Sequence, residues 1–268
     1  AYSYIDQLEK QYREFGLISV KLFLVSFVAI TKPSLIKKFF ENYNTFSKQN
    51  FILKKGELFI PDTLLVASPR LWRLKRKFYS PIFTSVNLRK YESIINRETK
   101  YLLSQIDSLV ENCFDIRHVI DQHVCLTTID ALTGIYSREF LWNEIDKVLD
   151  FIHSAQAAAT KRITRPFIWL DYIYYRTKEG KRIQAKVDYF YKTFEALQNK
   201  EVIGNNNEIY SLVDQINKLR EFDKSISGKT QILELLAFLI AGYETSAFTI
   251  TAALFYMGNY KNFLFHIL

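Results

Sequence analysis

The longest apolar stretch of the chain covers residues 232–257, far longer than a strand. Phe238, Ala241, Gly242, Thr245 and Thr249 recur in it at i, i+3, i+4, i+7 and i+11 and so share one helical face. The pattern predicts a central helix over 228–258, entered from the polar segment 221–227. Upstream, the same periodicity predicts helices over about 69–80, 88–109, 115–135, 140–160, 178–200 and 207–220, with a break near Pro166. Nearer the start, Ile5, Leu8 and Tyr12 mark a helix over 2–14, and the β-branched and aromatic content of 17–31 reads as strands. Lys32-Pro33-Ser34 opens a short helix to Phe40, residues 51–66 read as irregular to extended, and Gly204 with the asparagines after it reads as a loop. Only eight glycines and five prolines occur, which favours long helices over many turns. The expected fold is mainly α with a small β region: one domain over 1–268, with a β-containing part (17–67) and a helical part (69–268).

Two groups of residues are out of place for simple packing. Glycine inside a helix costs about 1 kcal/mol against alanine, and a buried carboxylate needs a partner. The central helix nevertheless carries Gly242, Glu244 and Thr245 in its middle. Ala241 and Gly242 leave a shallow groove, and Thr245 can bond back to a carbonyl one turn earlier. A freed carbonyl beside a hydroxyl could hold water or dioxygen. The second group is Trp72 and Arg76, at i and i+4 on one helical face. An indole N–H and a planar guanidinium there present donors to one anion. The plainer alternative is a basic amphipathic helix whose tryptophan packs in the core.

Charge and composition narrow the partners. Lysines and arginines number 36 against 28 acids, a net charge of +8. This balance suits an anionic membrane surface or an acidic protein. No zinc-finger, RNA-binding or helix-turn-helix signature accompanies it, so nucleic acid is not expected. Arg70, Arg73, Lys75, Arg76 and Lys77 concentrate the charge, as a docking surface or as a solvated helix face. Phe167, Trp169, Tyr172, Tyr174 and Tyr175 form an aromatic cluster that either packs in the core or meets a membrane. Two cysteines give no disulfide framework and fit a reducing compartment. His118, His123 and Cys125 supply too few ligands for a metal site, and none is expected. No signal peptide is expected at the start, and residues 17–30 are too short and carry Lys21. Residues 232–257 could span a bilayer by length, but Glu234 and Glu244 favour a core helix.

Ala241-Gly242-Tyr243-Glu244-Thr245-Ser246 resembles the oxygen-activation motif of the cytochrome P-450 family, small-Gly-x-acid-Thr-Thr/Ser. Trp72 to Arg76, then Ser80-Pro81-Ile82-Phe83, is similar to the family's Trp-x-x-x-Arg helix and the Ser-Pro-x-Phe after it, in the family's order and at about its spacing. The run from Cys125 to Asp130 with Gly134, and that from Asp171 to Gly180, resemble the microsomal fatty-acid-hydroxylating branch, so the likeness covers nearly the whole chain. The resemblance implies a haem-thiolate monooxygenase acting on a lipophilic substrate. It implies catalytic roles for Thr245 and Glu244, haem contacts from Trp72, Arg76, Ala241 and Gly242, and substrate contacts from Phe238 and Thr249. It implies electrons from NADPH through a reductase docked on Arg70, Arg73, Lys75 and Lys77, and a site on the cytosolic face of the endoplasmic reticulum membrane.

The family's cysteine loop and Glu-x-x-Arg helix lie beyond the central helix, so the chain reads as the amino-terminal half, inactive alone. The branch often has Glu at the position of Ala241, His at that of Tyr243 and Thr at that of Ser246, and a glycine usually precedes the Trp motif where 66–70 has none. A non-catalytic homologue acting as a binding protein, or an unrelated basic helical module, are the alternatives.

Overall fold

A computed structural model describes residues 7–8, 10–22, 25–41, 60–198, 210–224 and 226–259. The start of the expected first helix, residues 51–59 and the loop at 204–207 lie outside that set. Contacts divide the chain into two compact units, 1–47 and 48–268. In the first, β1 (Leu17–Leu22) and β2 (Val25–Ile30) pair antiparallel, from Leu17 opposite Ile30 to Leu22 opposite Val25. Helix α1 (Pro33–Glu41) follows, with proline at its first position, where the missing N–H costs nothing.

The second unit is helical: α2 (Pro69–Tyr79), α3 (Ser85–Leu109), α4 (Ile116–Thr133), α5 (Ile145–Thr164), α6 (Lys178–Gln198), α7 (Leu212–Phe222) and α8 (Gly228–Asn259). Most limits fall within a few residues of the periodic pattern, and local chemistry accounts for the shifts. Helix α3 begins at Ser85 rather than 88, directly after the Ser80–Phe83 turn, because Thr84 is extended and its carbonyl accepts from Leu88 N at 2.9 Å. Asp115 caps α4 by accepting from Arg117 N, and Gly134 ends it with φ 74°, a left-handed conformation open to glycine. The helix expected over 140–160 is divided: a turn at Arg138–Leu141 and a 3-10 turn at Trp142–Glu144 precede α5. A capping box between Ser211 and Asp214 sets the start of α7.

Helix α4 is buried nearly all round. Ile120, Leu126 and Ile129 meet Val148, Phe151 and Ile152 of α5, and Leu235, Leu239, Tyr243 and Ala247 of α8 join the same core. Phe151, Phe190 and Phe194 extend it towards α6, with centroids 4.8 Å and 4.3 Å apart along the row. Each such side chain contributes about 1.5–3 kcal/mol by leaving water. Helix α8 is core only as far as Ala247; Phe248, Phe255 and Tyr256 beyond it are exposed. By length and composition it is the one helix among the described residues that could cross a membrane.

Charged residues bind α3 to α4 and the turn after it. Glu98 is buried and takes Arg138 Nε at 3.1 Å and Nη2 at 2.9 Å. Burial alone would raise its pKa, but His123 and Arg138 outweigh it and hold the carboxyl below the usual range. His123 Nδ1 accepts from Arg138 at 2.9 Å and Nε2 donates to Gln105 Oε1 at 2.8 Å. Both ring nitrogens are therefore taken. Asp130 pairs with Arg97 and accepts from Ser137 N at 2.9 Å. Burial nevertheless pushes its carboxyl up to about 6, above the ordinary 3.8. A pKa raised on folding gives stability that is complete below pH 4 and lost as pH rises through about 6. Asp130→Asn is expected to flatten the dependence of Tm on pH between 4 and 6.5, measured by circular dichroism; an unchanged slope would place the titration elsewhere.

Candidate functional site

Helix α8 stays α-helical through the whole motif. Thr245 Oγ1 donates to Ala241 O at 2.9 Å, the back-bond its spacing allows, and Thr249 Oγ1 repeats it to Thr245 O at 2.8 Å. The bonds are added to the ladder without breaking it. Ala241, Thr245 and Thr249 lie on an exposed face. The Thr245 hydroxyl has given its proton to the ladder, so its oxygen is left to accept from that face. Glu244 is half-buried on the flank, where Gln156 of α5 donates from Nε2 to its Oε2 at 2.8 Å. Next to it, burial pushes the Tyr243 phenol well above its ordinary range. The phenol keeps its proton and lies 2.6 Å from His153 Nε2. Two successive motif residues thus attach α8 to α5.

Gly242 and Phe238 each pack against a neighbouring element. A Cβ on Gly242 would lie 3.0 Å from Thr128 Cγ2 of α4. Its smallness serves the close approach of two helices. Phe238 is half-buried between Tyr79, edge-on at 5.8 Å, and Phe83, stacked at 6.0 Å. Phe83 belongs to the Ser-Pro-x-Phe turn, so this stack joins that turn to α8.

On α2, Trp72 is 39% exposed and Arg76 is exposed, and neither donor has a hydrogen-bond partner among the described residues. The tryptophan is not a core residue. Unpartnered N–H donors of this kind suit carboxylate oxygens, the chemistry of haem propionates. Lys75 requires a correction. It was expected in the basic docking cluster, but it is fully buried, 2.6 Å from Glu234 Oε1, and cannot meet a partner protein. Arg70, Arg73 and Lys77 remain exposed and line an open cleft of about 710 Å³ together with Leu71, Leu74 and Phe222.

The aromatic segment divides between the two readings offered for it. Tyr174 is core and Trp169 is half-buried, whereas Phe167 is 89% and Tyr172 is 71% exposed. The segment is anchored by Arg162, a buried cation the periodicity did not single out. Its Nε donates to Ile168 O at 3.0 Å and its Nη2 to Trp169 O at 2.9 Å, and it pairs with Asp171. Cys125 is fully buried and its thiol is pushed up by burial, while Cys113 is exposed. Neither cysteine is on the Thr245 face.

A family model for cytochrome P-450 matches residues 1–264. The chain belongs to the cytochrome P-450 family. The members of that family are haem monooxygenases supplied with electrons by a reductase, and the match sets aside the reading as an unrelated helical module. The chain is 23% identical over 219 residues to the ultra-long-chain fatty acid omega-hydroxylase of Homo sapiens, covering 75% of this chain and 41% of that protein. It is 22% identical to cytochrome P-450 4F6 of Rattus norvegicus, over 75% of this chain and 40% of that one. It is 21% identical to cytochrome P-450 4V2 of Homo sapiens, over 95% and 52%. The chain thus spans about half or less of the curated relatives it matches.

Proposed function

We propose that this P-450 chain forms the oxygen-activating wall and one propionate grip of a haem-thiolate monooxygenase that acts on lipophilic substrates. The observation that carries the reading is the Thr245–Ala241 bond on an exposed helical face, next to a carboxylate held from behind by Gln156. Haem, when bound, supplies dioxygen binding and the insertion of oxygen into a C–H bond. The chain's own residues orient and protonate. Trp72 Nε1 and the Arg76 guanidinium would hold the propionates through charge-assisted hydrogen bonds. Ala241 keeps the wall thin, and the Thr245 oxygen holds a water on the exposed face. Glu244 takes protons from solvent and passes them to that water; Gln156 fixes which carboxylate oxygen is free to do so. Thr249 borders the substrate space, and Phe238 closes it from the side of the Ser-Pro-x-Phe turn.

Exposed Arg70, Arg73 and Lys77 supply the positive surface for a reductase carrying NADPH-derived electrons. Exposed Phe167, Leu170 and Tyr172 suit contact with the endoplasmic reticulum membrane from its cytosolic face. The test is the reduced, carbon-monoxide-treated spectrum. Protein made from the native transcript is expected to show a Soret band at the thiolate position. The 268-residue chain mixed with haemin is expected to lack it, because Cys125 is fully buried in α4 and Cys113 precedes that helix, so neither belongs to the Thr245 face of α8. A native product that takes up no haem would sink the reading.

A further inference from the structure

Lys75 and Glu234 form an ion pair sealed from solvent, with side chains 1% and 0% exposed and Nζ 2.6 Å from Oε1. Each ion also holds the backbone of the turn that leads into α2. The Lys75 ammonium donates to Asp62 O, and Leu64 N donates to Glu234 Oε2 at 3.1 Å. Asp62 has φ 57°, the left-handed region, which an aspartate tolerates better than most side chains. Fully buried Thr63 closes the same turn by donating to Ile60 O at 2.8 Å. One turn after Lys75, Tyr79 is buried beside the carboxylate, and its phenol is pushed up by burial and then by the Glu234 charge.

Stability alone does not account for this arrangement. A buried ion pair is costly to break but seldom better than two well-packed apolar side chains. What it adds is direction. An ammonium must find acceptors and a carboxylate must find donors, so the turn, α2 and α8 fit together in one register only. With Lys75 turned inwards, Trp72 and Arg76 are on the exposed part of α2.

We infer that Lys75 and Glu234 are positioning residues, a three-way clasp that sets the rotation of α2 about its axis and so presents the Trp72 and Arg76 donors outwards. Its functional meaning rests on the anion-gripping role proposed for those two residues; the clasp itself does not.

The test uses the 268-residue chain labelled with fluorotryptophan, whose three fluorine resonances report Trp72, Trp142 and Trp169 separately. Lys75→Met is expected to lower Tm by about 10 °C, the scale for one ion left unpaired in a core. Well below that Tm, the Trp72 resonance is expected to move while the other two stay in place. A general loosening would move all three. The reversed pair, Lys75→Glu with Glu234→Lys, restores opposite charges but faces a carboxylate to Asp62 O and an ammonium to Leu64 N. It is expected to fail as badly as the single variant. Restoration of Tm and of the Trp72 resonance by the reversed pair would overturn the clasp, as would an unmoved Trp72 resonance in Lys75→Met. Haemin titration separates the two ideas: a displaced Trp72 with unchanged haemin association retires the anion grip and leaves the clasp standing.

Discussion

Arg162→Met is expected to lower the Tm of the chain by about 6–12 °C, while Asp171→Asn changes it by no more than about 4 °C. The two residues form one ion pair, so a pairwise view would predict equal losses. Their surroundings differ: the Arg162 side chain is 1% exposed and that of Asp171 is 70% exposed. Removing the aspartate charge removes a screened, mostly surface contribution, worth about 0–1 kcal/mol. Removing the guanidinium takes away the donors to Ile168 O and Trp169 O as well, and its stack on Tyr174, 4.8 Å from the ring centroid. Hydrogen bonds to a charged group are worth about 1.5–3 kcal/mol each, so the net loss is about 3 kcal/mol. For a chain of this size each kcal/mol shifts Tm by about 2–4 °C. The loss should also be local. Amide exchange across 165–175 should rise in Arg162→Met and not in Asp171→Asn. Equal losses in the two variants would show that the pair, and not the carbonyl contacts, holds the segment.

Arg162 also marks where reading the sequence stops. The helices were legible because their apolar residues repeat at helical spacing, and a repeat is a local property. Thr245 was legible for the same reason: its partner, the Ala241 carbonyl, is one turn away. Lys75, Arg162 and Gly242 were not, because what each touches is set by tertiary packing. Lys75 stands in a run of five basic residues among eight, and nothing local separates the one that turns inwards from the four exposed. A signal did exist at the other end. Glu234 lies in an apolar helix, and a buried acid there required a base from elsewhere. The sequence could say that such a base was needed, but only the fold could say which one. The haem contact expected of Ala241, the catalytic role expected of Thr245 and the substrate contact expected of Thr249 are compatible with their exposure, whereas the substrate contact expected of Phe238 is shared with its packing on Tyr79 and Phe83.

Gly180→Ala is expected to be strongly destabilising, although helix propensity alone predicts a gain. Gly180 is in the first turn of α6, where alanine would ordinarily be worth about 1 kcal/mol more. A Cβ there would lie 2.1 Å from Tyr174 O and 2.8 Å from Tyr174 C, and both are backbone atoms that no rotamer change can move aside. The same turn is fixed by Thr177, whose Oγ1 donates to Tyr174 O and accepts from Gly180 N at 3.0 Å. To admit the methyl, either α6 or the Asp171–Tyr174 turn must shift, breaking those bonds; the cost is expected at about 3 kcal/mol or more. Two other glycines of the same chain calibrate the argument. A methyl on Gly258 would meet nothing within 4 Å, so Gly258→Ala should be neutral or stabilising by up to about 1 kcal/mol. Gly242 meets only the Thr128 side chain, its methyl at 3.0 Å, so Gly242→Ala should fall between the two, its propensity gain offset by a small separation of α4 from α8. Denaturant melts of the three variants should therefore rank Gly258→Ala above Gly242→Ala above Gly180→Ala. If propensity governed, all three would gain alike, and that result would refute the close backbone approach at Tyr174 on which the ranking depends.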